Sequence, residues 1–573
     1  MTELKAAFKD QAAIKIGALL AAFVGTYAWV FNQVRDINPA ILQDEWIYLV
    51  SSRGSSPWDQ NMPYDFGNYL FNFVYSSTLL CGESFYTCAK VINLTLLHGF
   101  ALTLFVIALR FIPFWGALFF YIATALSPTM IYSSMYLPES LLFFFLGLTL
   151  YSVLKAADDP TWKNWAVAGI PLGLAALAKP HALMAAMAIG IYLIVSSIER
   201  RPFWKTVVIN AAALFFAFLV VRVLVGLAVA GPKSLNVFGA YGATSSIATF
   251  VGEAGSAAPA EGSLVGAGAV TGAIELFPTQ LYAHLMVIGA LLGAALVAIM
   301  ISIVHSTRTS EIKPVHHFAL LVFIWLVALI IMIVLFTGWI TGSGDDHTTR
   351  VLLRYYDYLF PIVMLAGVAV FFDKDILTDT KNWVRWIVIA PMFFVISAAF
   401  AGYFGTLTIQ IADAPNLAGL VVDKFTIDVT ANLMLLTLLV MAFFPKFTVW
   451  AAAAMVPFVM VATGFQIQDQ YRGFRLEASP ADQAGHLLRE SLPKDELSEV
   501  LILAESRFDG RVASFWMDAN PDLEILGAGS IYPLELVEGA TQYVLVIGNL
   551  AADGGKVVSS GEGFVLLDIS DRD

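Results

Sequence analysis

The sequence predicts a polytopic α-helical membrane protein with a small α/β domain at its C-terminal end. Three observations carry this expectation. The 573-residue chain is 58% hydrophobic and only 13% charged, and its mean hydropathy is +0.75; a soluble protein of this size does not need so much apolar surface. Apolar runs of membrane-crossing length recur from residue 14 to residue 466. Beyond residue 467 the composition changes to that of a soluble domain, with charges of both signs. The expected division is therefore a membrane domain over 1–466 and a soluble domain over 467–573.

Taken in order, the apolar runs lie at 14–34, 87–111, 114–132, 137–155, 165–179, 181–198, 206–230, 280–304, 317–340, 357–372, 383–403, 430–444 and 446–466. They predict about 13 spans, several of them shorter than the ~20 residues a crossing needs. The first run lacks the short apolar core and cleavage site of a signal peptide, so it is expected to stay in place. With a cytoplasmic N-terminus, Lys and Arg on the inner side, such as Lys15, Arg110, Lys155, Arg200, Arg201, Lys313 and Lys446, outnumber the outer ones by roughly two to one. That bias sets the chain N-in, with the C-terminal domain extracytoplasmic. The predicted location is the bacterial inner (cytoplasmic) membrane.

Between the first two runs, 69–80 is apolar and aromatic but too short to span, and reads as a helix lying in the interface. Cys81 and Cys88 flank the turn that follows; they are either two small buried thiols or a bridge, since the outer face permits disulfides. Two cysteines exclude a disulfide framework or a cysteine-rich metal site. Residues 231–279 form a long Gly-, Ala- and Ser-rich loop, of the kind that is disordered or acts as a lid. In the C-terminal domain, Val500–Leu503, Leu523–Leu526, Tyr543–Ile547 and Phe564–Ile569 read as strands and Ala481–Glu490 as a helix. Gly527-Ala-Gly529 lacks the third glycine and the helix of a dinucleotide fingerprint.

The residues that carry chemistry all fall on the outer side. Asp44 and Glu45 are adjacent, directly after the first span, and lead into Trp46, Ile47 and Tyr48, residue types that favour the headgroup boundary. Glu139 opens a descending helix after Tyr136-Leu-Pro. Lys179-Pro180-His181 forms a tight turn between two spans. His347, Arg350, Arg354 and Tyr355 share one outer loop, where a helical 350–358 would put both arginines on one face. Singly, each has an ordinary reading: a solvated acidic turn, a snorkelling lysine, an ion-pair network with Asp345, Asp346 or Asp357, a loop histidine. Converging on one face, such ionisable residues indicate a site.

This arrangement resembles the GT-C glycosyltransferases, among them protein O-mannosyltransferases, lipid A aminoarabinose transferases and mycobacterial arabinosyltransferases. Asp44-Glu45 with Tyr48 is similar to the family's Asp-Glu motif in the first outer loop, followed there by an interfacial helix. Tyr136-Leu-Pro-Glu139 is similar to the acidic residue of its second outer loop. Lys179-Pro180, and Arg354-Tyr355 with Pro361, are similar to its cationic outer positions. The resemblance implies a polyprenyl-phosphate sugar as donor and a glycan, lipid or protein acceptor at the bilayer surface, with no nucleic-acid partner.

On this basis Asp44 is expected to be the base, with Glu45 and Glu139 orienting sugar or acceptor. Lys179, Arg350 and Arg354 are expected to clamp the donor phosphate, free of closer carboxylates, and Tyr48, His181, His347 and Tyr355 to contact substrate. No cofactor is expected; a divalent metal at Asp44/Glu45 is disfavoured, because adjacent carboxylates make a poor cage. The rival readings are a transporter or lipid flippase, which would place charges at mid-depth as only Arg222 does, and a polysaccharide polymerase or ligase using a lipid-diphosphate donor.

Overall fold

The computed structural model describes residues 11–40, 42–53, 66–197, 203–237, 265–309, 312–342, 348–537 and 541–570. Its membrane part contains, in chain order, α1 (Ala12–Val34), α2 (Leu42–Arg53), α3 (Tyr69–Ser76), α4 (Phe85–Ala108), α5 (Phe114–Ala125), α6 (Glu139–Asp158), α7 (Trp162–Ala178), α8 (Ala182–Ser197) and α9 (Phe203–Ala230). These are followed by α10 (Val265–Ser306), α11 (Pro314–Gly342), α12 (Leu359–Phe372), α13 (Asn382–Phe400), α14 (Lys424–Phe443), α15 (Thr448–Val456) and α16 (Thr463–Arg475).

Each predicted apolar run coincides with a helix, but 13 full crossings are not reached. Among the described residues nine helical segments are long and apolar enough to cross a bilayer, or ten if the bent pair Phe114–Ala125 and Pro128–Ser134 is one span. α7, α8 and α12 have 17, 16 and 14 residues. α12 is almost wholly enclosed by its neighbours, and a helix shielded from lipid need not match the bilayer thickness. The loop expected over 231–279 is also shorter than predicted, because α10 begins at Val265; residues 238–264 lie outside the described residues.

The segment expected to lie in the interface is helical over α3 and runs through a 3₁₀ stretch, Ser77–Ser84, into α4. Gly82 breaks the path with φ 53°, a conformation that costs glycine little. Cys81 and Cys88 are disulfide-bonded across this break. Elsewhere Gly464 lets α16 touch the turn after α5: a Cβ there would stand 1.9 Å from the Leu126 carbonyl oxygen. α16 thereby runs along the bundle and delivers the chain to the soluble domain.

That domain contains helices α17 (Pro480–Ser491) and α18 (Arg507–Met517) and strands β1 (Leu501–Ala504), β2 (Asp522–Ile525), β3 (Ile531–Pro533), β4 (Tyr543–Ile547), β5 (Ala551–Asp553), β6 (Lys556–Gly561) and β7 (Phe564–Asp568). The main sheet has the order β2-β1-β4-β7-β6. β1 is parallel to both β2 and β4, Ile502 facing Leu523 on one side and Leu545 on the other, while β7 returns antiparallel between β4 and β6. β1, an inner strand, is buried along its whole length, as expected for a parallel strand covered on both faces. β3 and β5 form a separate parallel pair. Sequence patterning located β1, β2, β4 and β7 because they are apolar; polar β6, the three-residue β3 and β5, and α18 carried no such signal.

Candidate active site

The candidate site forms where α2 meets the helix ends nearest the soluble domain. Successive residues of an α-helix point about 100° apart, so Asp44, Glu45 and Trp46 face three different bodies. Asp44 Oδ2 accepts a bond from Arg354 Nη1 at 2.8 Å, with 35% of its side chain exposed. Glu45 is 0% exposed: Oε2 accepts from the Ala40 amide at 2.8 Å, and Oε1 accepts from Tyr86 Oη at 3.0 Å and the Tyr136 amide at 2.7 Å. Trp46 turns to the soluble domain, donating Nε1 to the Ala519 carbonyl at 3.3 Å. The two carboxylates therefore share no ligand position. Among the described residues no cluster of three or more His, Cys, Asp or Glu side chains gathers at metal-binding spacing.

Glu139 and Lys179 form a buried ion pair of 2.6 Å. Local structure favours both charges: Glu139 occupies the first turn of α6 and Lys179 follows the last residue of α7, the ends where a helix dipole stabilises an anion and a cation respectively. Pro180 stops α7 from continuing. Glu139 Oε2 is buried with no hydrogen-bond partner. Lys179 Nζ also lies 5.0 Å from the centre of the Tyr355 ring, and His181 stacks on the same ring at 4.5 Å.

Residues 350–358 do not form the helix that would put both arginines on one face. Arg350 makes an extended bridge to Thr408, and only Leu353–Tyr355 forms a 3₁₀ turn. The two arginines meet instead on Asp413. Arg350 Nε donates to Asp413 Oδ2; Arg354 Nε lies 3.8 Å from Oδ1; and the Arg354 amide donates to the Asp413 carbonyl at 2.7 Å. Burial opposes the Arg354 charge, yet Tyr355, Asp44, Asp413 and Glu139 together hold its guanidinium well above the ordinary arginine value.

The expectation that the cations would be free of nearby carboxylates is thus overturned: Lys179 pairs with Glu139, Arg350 with Asp413, and Arg354 with Asp44 and Asp413. The two groups join at Arg354 and Tyr355, with the guanidinium 5.3 Å from the neighbouring ring. Tyr48 is buried against Phe66 and Phe71, and His347 lies outside the described residues. Sequence reasoning missed Asp413, although the same topology places its loop, between the runs 383–403 and 430–444, on the shared face. Asp357, expected only as an ion-pair partner for the arginines, instead accepts from Tyr132 at 2.7 Å and Asn416 at 2.8 Å and so ties the arginine loop to two neighbours.

Residues 78–225 match the family described as dolichyl-phosphate-mannose-protein mannosyltransferase. In that region, which contains Glu139 and Lys179, the chain is similar to GT-C membrane glycosyltransferases. No curated protein matches the chain. Among solved structures, ArnT from Cupriavidus metallidurans in the apo state aligns with 97% of this chain and 98% of its own, at 14% identity and a TM-score of 0.47. The archaeal oligosaccharyltransferase AglB from Archaeoglobus fulgidus, in complex with an inhibitory peptide and a dolichol-phosphate, aligns with 94% of this chain and 70% of its own, at 12% identity and a TM-score of 0.47.

Proposed function

We propose that this polytopic GT-C-type protein transfers a sugar from a polyprenyl-phosphate donor to an acceptor hydroxyl of a cell-envelope glycan, lipid or protein at the outer face of the membrane. The observation that carries the reading is the partly exposed Asp44 carboxylate held 2.8 Å from Arg354, beside a second cation, Lys179, at the end of a span. A prenyl chain lies in the bilayer and its phosphate at the headgroup level, which is where these helix ends would present their charges.

The reaction balances with the residues present. The acceptor O–H gives its proton to Asp44, its oxygen attacks the anomeric carbon, and the bond to the phosphate oxygen breaks, so negative charge grows on the departing prenyl phosphate. Fixed cations stabilise that charge in the transition state. Arg350 and Arg354 offer planar forks suited to phosphate, and Lys179 a point charge. Each is held in the free protein by a carboxylate, so donor binding exchanges one anion for another: Arg354 passes from Asp44 to the phosphate and leaves Asp44 facing the acceptor. Glu139, with one oxygen on Lys179, uses the other to orient a sugar or acceptor hydroxyl. The chemistry is direct displacement and invokes no metal.

Incubating the purified protein with synthetic prenyl-phosphate sugars, and following sugar transfer by mass spectrometry, tests the reading. Turnover of at least one prenyl-phosphate sugar is expected; turnover only of lipid diphosphates would favour a polymerase or ligase instead.

A further inference from the structure

α2 has a second task besides carrying Asp44. It is 12 residues long, near the lower limit at which a helix holds together alone, so its orientation is set by what grips it. Residues seven apart lie on one helical stripe. Glu45 and Ser52 form such a stripe, and both reach Tyr136: Glu45 through the Tyr136 amide and Ser52 Oγ through the Tyr136 hydroxyl at 2.8 Å. Trp46 and Arg53 form the neighbouring stripe, and both reach the soluble domain. Arg511 of α18 lies 3.6 Å from the centre of the Trp46 ring, the Ala519 carbonyl accepts from Trp46 Nε1, and Arg53 Nε donates to Asp518 Oδ1 at 2.8 Å, both side chains nearly buried.

The segment leading into α2 is gripped from the same side. The Asn38 amide donates to the Arg475 carbonyl at 2.9 Å, and Arg475 Nε donates to the Pro39 carbonyl at 2.6 Å. Arg475 is itself held by both oxygens of Asp482 in α17, at 2.8 and 2.9 Å.

We infer that the soluble domain is a positioning element of the reaction centre: through Arg511, Asp518 and the Ala519 carbonyl it holds the outward stripe of α2, so that Asp44 keeps its place at the site and faces the acceptor once the donor takes Arg354. The inference rests on Asp44 being the base. The membrane domain grips the Glu45 stripe and, through Thr78 and Phe85, the Arg53 end of α2, while the soluble domain grips the turn of Trp46, which carries Asp44, through Arg511 and the Ala519 carbonyl. A roll that moves a carboxylate by about 1 Å can cost on the order of 100-fold in rate. Arg511, Asp518 and Arg53 are therefore positioning residues, acting on turnover through Asp44 without touching substrate.

Asp518 offers a clean test, because its φ of 53° and ψ of 42° place it where glycine is favoured; Asp518→Gly removes the carboxylate and keeps the turn. In the full-length protein carrying Arg511→Ala and Asp518→Gly, kcat should fall about 10–100-fold while the donor KM stays within about threefold, since the phosphate cations are untouched. Amide exchange over 42–53, measured without substrate, should quicken while β1 and β4 keep their protection. Arg511→Lys, which keeps a cation over Trp46, should retain most of the turnover. A kcat within about twofold of wild type overturns the inference, as does exchange that quickens equally in β1 and β4, which marks lost folding. If the wild-type protein transfers no sugar from any donor, the glycosyl-transfer reading fails, and the exchange of 42–53 still decides whether the soluble domain holds α2.

Discussion

Arg354 stands between Asp44 and Asp413, its Nη1 2.8 Å from Oδ2 of the first and its Nε 3.8 Å from Oδ1 of the second. The proposed base and the anchor of the arginine loop thus share one guanidinium, and a phosphate that recruits Arg354 changes the surroundings of Asp44 in the same step.

Asp44→Asn keeps the shape of the side chain and removes its capacity to accept a proton. With about a third of the Asp44 side chain exposed and Arg354 retaining Asp413, the fold should be kept. Turnover should fall ~10²–10⁴-fold, the usual share of a general base. Single-turnover rates at saturating donor check this; a rate within a few-fold of wild type would transfer the role to Glu139.

Arg354→Ala should weaken donor binding and turnover together, and Arg354→Lys should restore only part, because a lysine has no planar fork. Asp413→Asn, which loosens Arg350 and Arg354 at once, should raise the donor KM by on the order of 10-fold, in line with losing a charge-assisted anchor. Donor titrations of the three variants, compared with wild type, measure the effect. An unchanged KM in Asp413→Asn would mean the two arginines are held by other means.

Lys179→Met should destabilise the protein strongly, by ~3–5 kcal/mol, because it strands the Glu139 carboxylate without its counter-charge. Combining it with Glu139→Gln should recover much of that stability but not the activity. Thermal unfolding in detergent, run beside the transfer assay, separates the two effects. A double variant as unstable as the single one would show that the pair contributes more than mutual neutralisation.

Removing the Cys81–Cys88 bridge with Cys81→Ser and Cys88→Ser should cost ~2–3 kcal/mol on the chain-entropy account, since the closed loop is short. Its effect should be felt at Arg489, which donates to the Gly82 carbonyl at 3.1 Å and pairs with Glu83 at 3.1 Å, one more contact of the soluble domain. Thiol labelling of unreduced, denatured wild-type protein should find no free thiol; two labels would rule the bridge out.

By itself the sequence determined the membrane class, the places of the apolar helices, four of the strands, and the gathering of Asp44, Glu139, Lys179, Arg350 and Arg354 at one end of the bundle. Those features are local: hydropathy over some 20 residues decides a span, and the count of spans decides the side on which a charge emerges. Which of Asp44 and Glu45 faces the site was not legible, because neighbours in sequence differ on a helix by a rotation that only packing sets. Asp44 meets Arg354, while Glu45 is consumed by the Ala40 and Tyr136 amides and the Tyr86 hydroxyl. The partners of the cations were equally hidden: Lys179 finds Glu139 and Arg350 finds Asp413 across 40 and 63 residues of chain, contacts that exist only once α6 lies beside α7 and the loop of Asp413 is folded under the arginines. Tertiary structure also decided that Trp46 and Arg53 reach a soluble domain more than 450 residues further along, with Arg53 bridging back to Thr78. Pairings of that range depend on how helices dock, and hydrophobic periodicity records which face of a helix is covered but not what covers it.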